Sequence, residues 1–519
     1  MFRRDFLKGT AALLGTLTLG KTTYSLPSLQ ASQTVKGRVI NAKTKTGIPN
    51  VLVSNGLNVT KTDQSGNYQL PLENDSTIFV VKPRGYQVPV DKNNLPQNHY
   101  HYVPNGSPAT EHEGIKPTGT LPKSVDFNLN PVREDDNFSM ILFGDPQPRN
   151  QTEIDYMSHD IIEQIVRDDE AMKASFGLSL GDIMFDNLEF YDPLNQSIAT
   201  IGKPWQSVVG NHDLNFDSPD NALKTETFRR IYGPNYYAFQ YGAVNFVVLD
   251  NVMYHGKDVG GYHGEITYEQ LAWLKNLLRY IPKDQLLVIA MHIPIWDTDN
   301  RQELYRLIED RPHTLSFSAH THYQRHVFLS NAEGWQGTNP HHHLNHATVC
   351  GCWWGGAPDE RGIPHATMSD GGPNGYSIVE FNKANYKITF RPASRPFHEQ
   401  MAIYLPEETK STETSNTEVV INVFAGSSKS IVEARINNST WTKVANAPGP
   451  DPYIVRLKTL EAQDPKPPGR AIAGPTATPH IWKMNLPANL PLGTHLIDVR
   501  TIDMFGQTYT ERRTFRVIA

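Results

Sequence analysis

Five short apolar runs in this 519-residue sequence stop on a side chain that can bind a cation or move a proton. Residues 139–143 run into Gly144, Asp145, Pro146 and Gln147, and residues 175–180 into Gly181 and Asp182. Residues 207–210 lead to Asn211, His212 and Asp213. Residues 286–291 stop on His292, and 314–319 on His320, with His322 one residue beyond. Singly, each has a structural explanation: an Asp after a strand caps a helix, and a lone His is hydrogen-bonded in a core. Together, Asp-x-Gln, Gly-Asp, Gly-Asn-His-Asp, His and His-x-His form a mixed set of carboxylate, amide and imidazole donors. Such a set suits Zn, Fe, Mn or similar ions.

The elements needed to position these residues are legible around them. The runs read as strands, and α/β folds gather their sites at the carboxyl ends of strands. Residues 152–168 place Ile154, Met157, Ile161 and Ile165 on one helical face, and residues 243–250 read as a fully buried strand. Thr267 with Gln270 makes a capping box opening a helix through Leu271, Leu274 and Leu278. Strands alternating with helices predict an α/β core over about residues 137–395. Gly181 and Gly210 let the backbone turn tightly at its rim. His320 and His322, one residue apart on an extended segment, would point the same way.

Both flanks read differently. From residue 32 to about 130, short alternating runs such as Val35, Gly37 and Val39 are separated by turn signals, which predicts a small β-sandwich. Residues 405–418 are polar and almost free of apolar side chains and read as a linker. Residues 405–519 then return to alternating strands with Asn-Asn and Pro-Gly turns, a third, β-rich domain.

The motifs FGDPQ, LGDIMFD, VGNHD, MHIP and AHTH resemble the five ordered motifs of the calcineurin-like metallophosphoesterases. The flanks, with GCWWGGAPDERGIPH and PLGTHLIDVRTID, look like the bacterial branch that carries its own N- and C-terminal domains. The N-terminal flank is similar to transthyretin-like modules. The resemblance implies a four-layer α/β sandwich between two β-sandwich-type domains, holding two divalent ions (Mn, Zn, Fe or Mg). Asp182 would be shared; Asp145, Gln147 and His322 would complete one ion's ligands, and Asn211, His292 and His320 the other's. His212 would be catalytic, with Asp213 fixing its tautomer. Two cations a few Å apart bind the phosphoryl oxygens, deprotonate a bridging water and orient in-line attack. Most relatives carry a histidine where Gln147 stands; an amide is a weaker, uncharged ligand and favours Mn or Mg there. Asp186 fits the second motif only with shifted spacing and reads as a support or loop cap.

Other conspicuous residues are open to two readings. His341, His342, His343 and His346 form either an active-site loop or a polar loop leading into a strand. Arg361, Tyr323 and Arg325 could meet substrate; Trp353 reads as core. Cys350 and Cys352, the only cysteines, read as small buried residues on a strand face, too close for an unstrained bridge.

Lys and Arg total 48 against 54 Asp and Glu, a net charge of −6, which excludes a general nucleic-acid binder. Arg3 and Arg4 followed by the short apolar stretch 10–19 resemble a twin-arginine signal over residues 1–31. That predicts export by the twin-arginine machinery to the periplasm or beyond, with no stable membrane span after processing. The expected activity is hydrolysis of a phosphorylated small-molecule, nucleotide or lipid-linked substrate, a phosphomonoesterase ahead of a phosphodiesterase or nucleotide pyrophosphatase. The alternative from another class is a non-catalytic envelope- or glycan-binding protein.

Overall fold

The computed structural model describes residues 33–463 and 471–519, so the signal-like segment 1–31 lies outside the described residues. Two sheets face one another at the centre. The first runs Trp205–Ser207, Phe176–Ser179, Asn137–Phe143, Gly375–Asn382, Asn385–Pro392. Its first three strands are parallel and its last two antiparallel. The second runs Tyr237–Tyr241, Val244–Val248, Leu286–Ala290, Thr314–Ser318, His341–Asn345, Arg325–Leu329, with the four central strands parallel.

Alternation along one strand explains the layering. Met140 and Leu142 point between the sheets, into the cluster of Val247, Val288 and Phe317. Their neighbours Ile141 and Phe143 point the other way, against Ile154, Met157, Ile161 and Ile165. Leu271, Leu274 and Leu304 cover the second sheet. The core is a four-layer α/β sandwich, with its parallel strands delivering their carboxyl ends to one edge.

The structure departs from the sequence-based expectation in three places. The first helix begins at Gln151, capped by the Asn150 side chain on Glu153 N, and passes through a π-turn, Ser158–Ile162, into Glu163–Arg167. Thr267 caps Tyr268–Leu278, but Gln270 does not close a capping box. Its amide instead brackets the backbone of Asp250, donating to the carbonyl at 2.7 Å and accepting from the N–H at 2.9 Å. The segment read as a linker is built into the C-terminal domain: Glu408–Lys410 pairs in parallel with the last strand, Thr508–Ile518, and Ser411–Asn416 forms a 3-10 turn. Its hydroxyls are bonded within the segment, Thr409 to Thr417 at 2.6 Å and Thr417 to Glu413 O at 2.9 Å, so little apolar surface is needed to hold it.

The N-terminal domain is two four-stranded sheets around Val35, Val53, Leu70 and Phe127. It leans on the core through Trp273 Nε1 to Ser54 Oγ at 3.1 Å and through Lys82, which pairs with Glu134 and donates to Gln240 O at 2.8 Å. The C-terminal domain packs a four- and a five-stranded sheet around Val419, Ile421, Trp482 and Val499, with a helix, Pro452–Glu461, that alternation did not predict. No helix among the described residues is long and apolar enough to cross a membrane.

Candidate metal centre

The strand ends converge on the Nε2 atom of His292. Its Nδ1 is occupied by the Leu180 carbonyl at 2.8 Å, which leaves Nε2 to face Asn211 Oδ1 at 3.0 Å, Asp182 Oδ2 at 3.2 Å and His320 Nδ1 at 3.2 Å. One donor atom each from Asp182, His292 and His320 lie within 4.8 Å of one another. Beside this group, His322 donates through Nδ1 to Gly351 O at 2.5 Å and turns Nε2 toward Asp145 Oδ2 at 3.4 Å. The Gln147 amide reaches the same Asp182 Oδ2 at 3.1 Å. One carboxylate oxygen therefore lies between two groups of donors, Asp145/Gln147/His322 and Asn211/His292/His320.

The backbone is bent hard to do this. Asp145 (φ 29°), Gln147 (φ 41°), Asp182 (φ 48°), His320 (φ 71°) and His322 (φ 54°) all occupy the left-handed region. Non-glycine residues there store strain that surrounding structure must hold, and such residues cluster at functional sites. His320 and His322 are thus on a bent loop, not the extended segment expected. At Gly181 (φ 93°) a Cβ would come 2.5 Å from His292 Nδ1, and at Gly210 it would fall on the Asp182 amide and carboxylate. The loops are tied by backbone donors: His212 N to Asp182 Oδ1 at 2.8 Å, and His320 N to Asp145 Oδ2 at 3.0 Å.

The electrostatics favour a cation. Asp145, Asp182, Asp213 and His292 are all buried. Burial drives the Asp145 carboxyl well up, with Asp182 adding and His292 opposing. Burial works on Asp182 too, but His292 and His212 outweigh it and hold that carboxylate below its ordinary range. His292 is raised despite its burial, by Asp182 and Asp145. Burial pushes His320 down to about 3 and His322 to about 4, so both are neutral imidazoles, the form that binds metal. Two buried carboxylates facing ring nitrogens and an amide make a donor set that fits divalent ions.

His212 stands at the mouth, its ring stacked on Phe185 at 4.5 Å. The carboxylate on its Nδ1 is Asp186, at 2.6 Å, and Asp186, itself at φ 61°, is the residue that orients the ring. Asp213 does not touch it. A reverse turn, closed by Asp213 N to Gly210 O at 3.2 Å, sends the two neighbouring side chains apart. Asp213 turns inward and accepts from Ile183 N at 3.0 Å, Gly210 N at 2.8 Å and Tyr191 OH at 2.9 Å, stapling two site loops together. Beside Phe185 and Trp353, which covers the His322 ring at 4.7 Å, Tyr262 faces His320 at 6.0 Å. Trp353 is thus a rim residue as much as a core one.

Several residues fall elsewhere. His341, His342 and His343 are in a buried strand, not a loop. Thr314–His341–Ser316–His343–Ser318–Asn345 is an unbroken side-chain ladder with steps of 2.6–3.1 Å. Its last member, Asn345, donates to Thr321 Oγ1 at 2.7 Å and Tyr323 O at 2.6 Å, fixing the loop that carries His320 and His322. Arg361 is committed to Asp359, Asp160 and Ser394, and Arg325 lies over the Trp296 ring. Cys350 and Cys352 are buried and not bridged to each other, in a turn instead of a strand. Asn251 was not singled out in the sequence: its Oδ1 receives His292 N at 3.2 Å and Ile293 N at 3.0 Å. The signal existed, since Asn251 directly follows the run 243–250.

Residues 138–324 match the family described as calcineurin-like phosphoesterase. Residues 33–113 match its described N terminal, and residues 343–509 its C terminal. No curated protein matches the chain. Among solved structures, a purple acid phosphatase, PPD1, from yellow lupin (Lupinus luteus) seeds is similar at 12% identity, covering 66% of this chain and 67% of that one with a TM-score of 0.36. CopC from Methylosinus trichosporium OB3b is similar at 13% identity over 22% of this chain and 93% of its own, with a TM-score of 0.12. The chain belongs to the calcineurin-like phosphoesterase superfamily, its α/β core flanked by the N- and C-terminal domains described for that family.

Proposed function

We propose that the protein is an exported phosphomonoesterase that uses two divalent ions. The observation that carries this reading is the shared Asp182 Oδ2, with Asn211, His292 and His320 on one side and Asp145, Gln147 and His322 on the other. Two ions held there supply Lewis-acid charge for the phosphoryl oxygens and a water activated at neutral pH. The chain's own part is to orient and protonate. Asp186 holds His212 Nδ1, which leaves Nε2 to donate a proton to the departing oxygen. His212 is raised: burial opposes this, but the Asp182 and Asp186 carboxylates outweigh it and favour the acid form.

Gln147 fits once its amide turns. Its Nε2 faces Asp182 Oδ2, and its Oε1 faces Cys350 Sγ at 3.7 Å. The two ends of an amide are nearly isosteric, so a half-turn presents Oε1 to an ion beside Asp182 and gives the NH2 group to the sulfur. The export part of the reading rests on Arg3, Arg4 and the apolar stretch 10–19.

A phosphodiester substrate is the second reading, favoured by the mouth. Phe185, Trp353 and Tyr262 line it, while Arg149 and Arg361 are committed to Glu153 and to Asp359 and Asp160. A singly charged diester needs less cationic help than a dianionic monoester. The test is metal analysis of the purified mature protein with phosphate release from p-nitrophenyl phosphate compared with bis-p-nitrophenyl phosphate and nucleotide diphosphate sugars. Two ions per chain and faster monoester turnover support the first reading. Preference for diesters selects the second, and no metal with no turnover of either would leave a binding protein.

A further inference from the structure

The His-x-His loop is held on its far side by residues of the C-terminal domain. Loop 368–372 lies between them. Ser369 N and Oγ both donate to the His322 carbonyl, at 3.1 and 3.3 Å, and Asp370 Oδ2 accepts from Gln324 N at 2.8 Å. From the C-terminal side, His480 Nε2 meets the same Asp370 Oδ2 at 3.1 Å, and His480 Nδ1 meets Asn422 Oδ1 at 2.8 Å. Asn422 Nδ2 donates to Asp370 O at 2.9 Å and Asp451 Oδ2 at 2.7 Å, while Thr476 bonds Ser369 through N at 2.9 Å and Oγ1 at 3.0 Å. Asp370, Asn422, Asp451 and His480 are fully buried.

We propose that the C-terminal domain sets the position of His322, and so the affinity of one of the two ions, through the relay His480–Asp370–Gln324 and its companion Thr476–Ser369–His322. This rests on the two-metal reading. His322 is at a strained φ of 54°, so its Nε2 stays on Asp145 only while something holds the chain on both sides. Asn345 holds residues 321 and 323 from the core sheet, and the relay holds 322 and 324 from the other domain. The second group, Asn211, His292 and His320, is braced by core residues, Asn251 and Leu180 on His292 and Asp145 on His320. Losing the relay should therefore loosen one ion and spare the other. His480, Asp370 and Asn422 are positioning residues, since none of them touches the site atoms.

The experiment is Mn²⁺ titration by equilibrium dialysis of the full chain, comparing wild type with H480Q, D370N and V499A. Val499 is buried in the C-terminal domain away from the relay, so V499A reports general destabilisation of that domain. Wild type is expected to bind two ions. H480Q and D370N are expected to keep one at unchanged affinity and to bind the other about 10- to 100-fold more weakly. V499A should lose thermal stability and keep both. The inference is overturned if H480Q and D370N bind both ions as wild type does, or if V499A loses the same ion. A wild type that binds fewer than two ions would overturn the two-metal reading itself, and this one with it.

Discussion

At the scale of single residues, the geometry assigns His212 and Asp186 a joint role that is tested by leaving group. H212N removes the proton donor and should lower kcat about 10²- to 10⁴-fold on an alkyl ester. The loss should be much smaller on p-nitrophenyl phosphate, whose leaving group needs no proton. D186N should show the same dependence in weaker form, because the ring remains but loses the carboxylate charge on Nδ1. Equal losses on both esters would mean that His212 only binds the phosphoryl group. Replacing Gln147 with His should change which ion supports activity, and an unaltered metal preference would show that Gln147 is not a ligand. The ligand types were legible because they follow apolar strands, and Asp145, Asp182, Asn211 and His292 do so on glycine- or proline-marked turns. The partner of His212 was not: adjacency in sequence suggested Asp213, whereas a reverse turn separates the two and a residue from another loop takes the place.

At the scale of elements, the strand His341–Asn345 makes a prediction about acid. Burial pushes His341 down to about 3 and His346 to about 4, and His342 and His343 lower still. Unfolded, each titrates near 6.5, so below that pH the unfolded chain takes up protons that the fold refuses. These depressed values mean stability is fully present above about 6.5 and is lost as pH falls toward the folded values. At about pH 5 the loss is about 2 kcal/mol per histidine. Melting temperature should therefore drop steeply between about pH 7 and about pH 5, even in the apo protein, and a flat profile would refute the neutral ladder. G210A should act on a different element. A Cβ there falls on Asp182, so metal content should drop sharply with the fold retained, as checked by metal analysis beside circular dichroism. Element types were readable from period and turn signals, and the buried histidine strand was not. A run of histidines reads as polar until one sees Thr314, Ser316 and Ser318 spaced to meet it on the neighbouring strand.

At the scale of the whole molecule, the flanking domains are parts of the core's packing and not appendages. Phe79 and Val81 of the N-terminal domain belong to the same apolar cluster as Val247 and Val288 of the second sheet. The Lys82 ammonium reaches Glu134 at 2.5 Å and Gln240 O at 2.8 Å, and the Glu134 side chain is 1% exposed. Composition and alternation found the β-domains but could not show this docking, which depends on contacts far apart in sequence. It has a thermodynamic consequence. If docking links the units, the N-terminal domain cannot unfold without uncovering core surface, and the protein should melt in one calorimetric transition. K82M leaves the Glu134 carboxylate buried with only the Gly242 N–H for company, a loss on the order of 3–5 kcal/mol. Because the pair lies at the junction, that loss should lower the single transition as a whole, and residual activity should disappear along the same curve. If K82M instead split the melt in two, with activity following an unmoved upper transition, the domains would be independent units that merely touch.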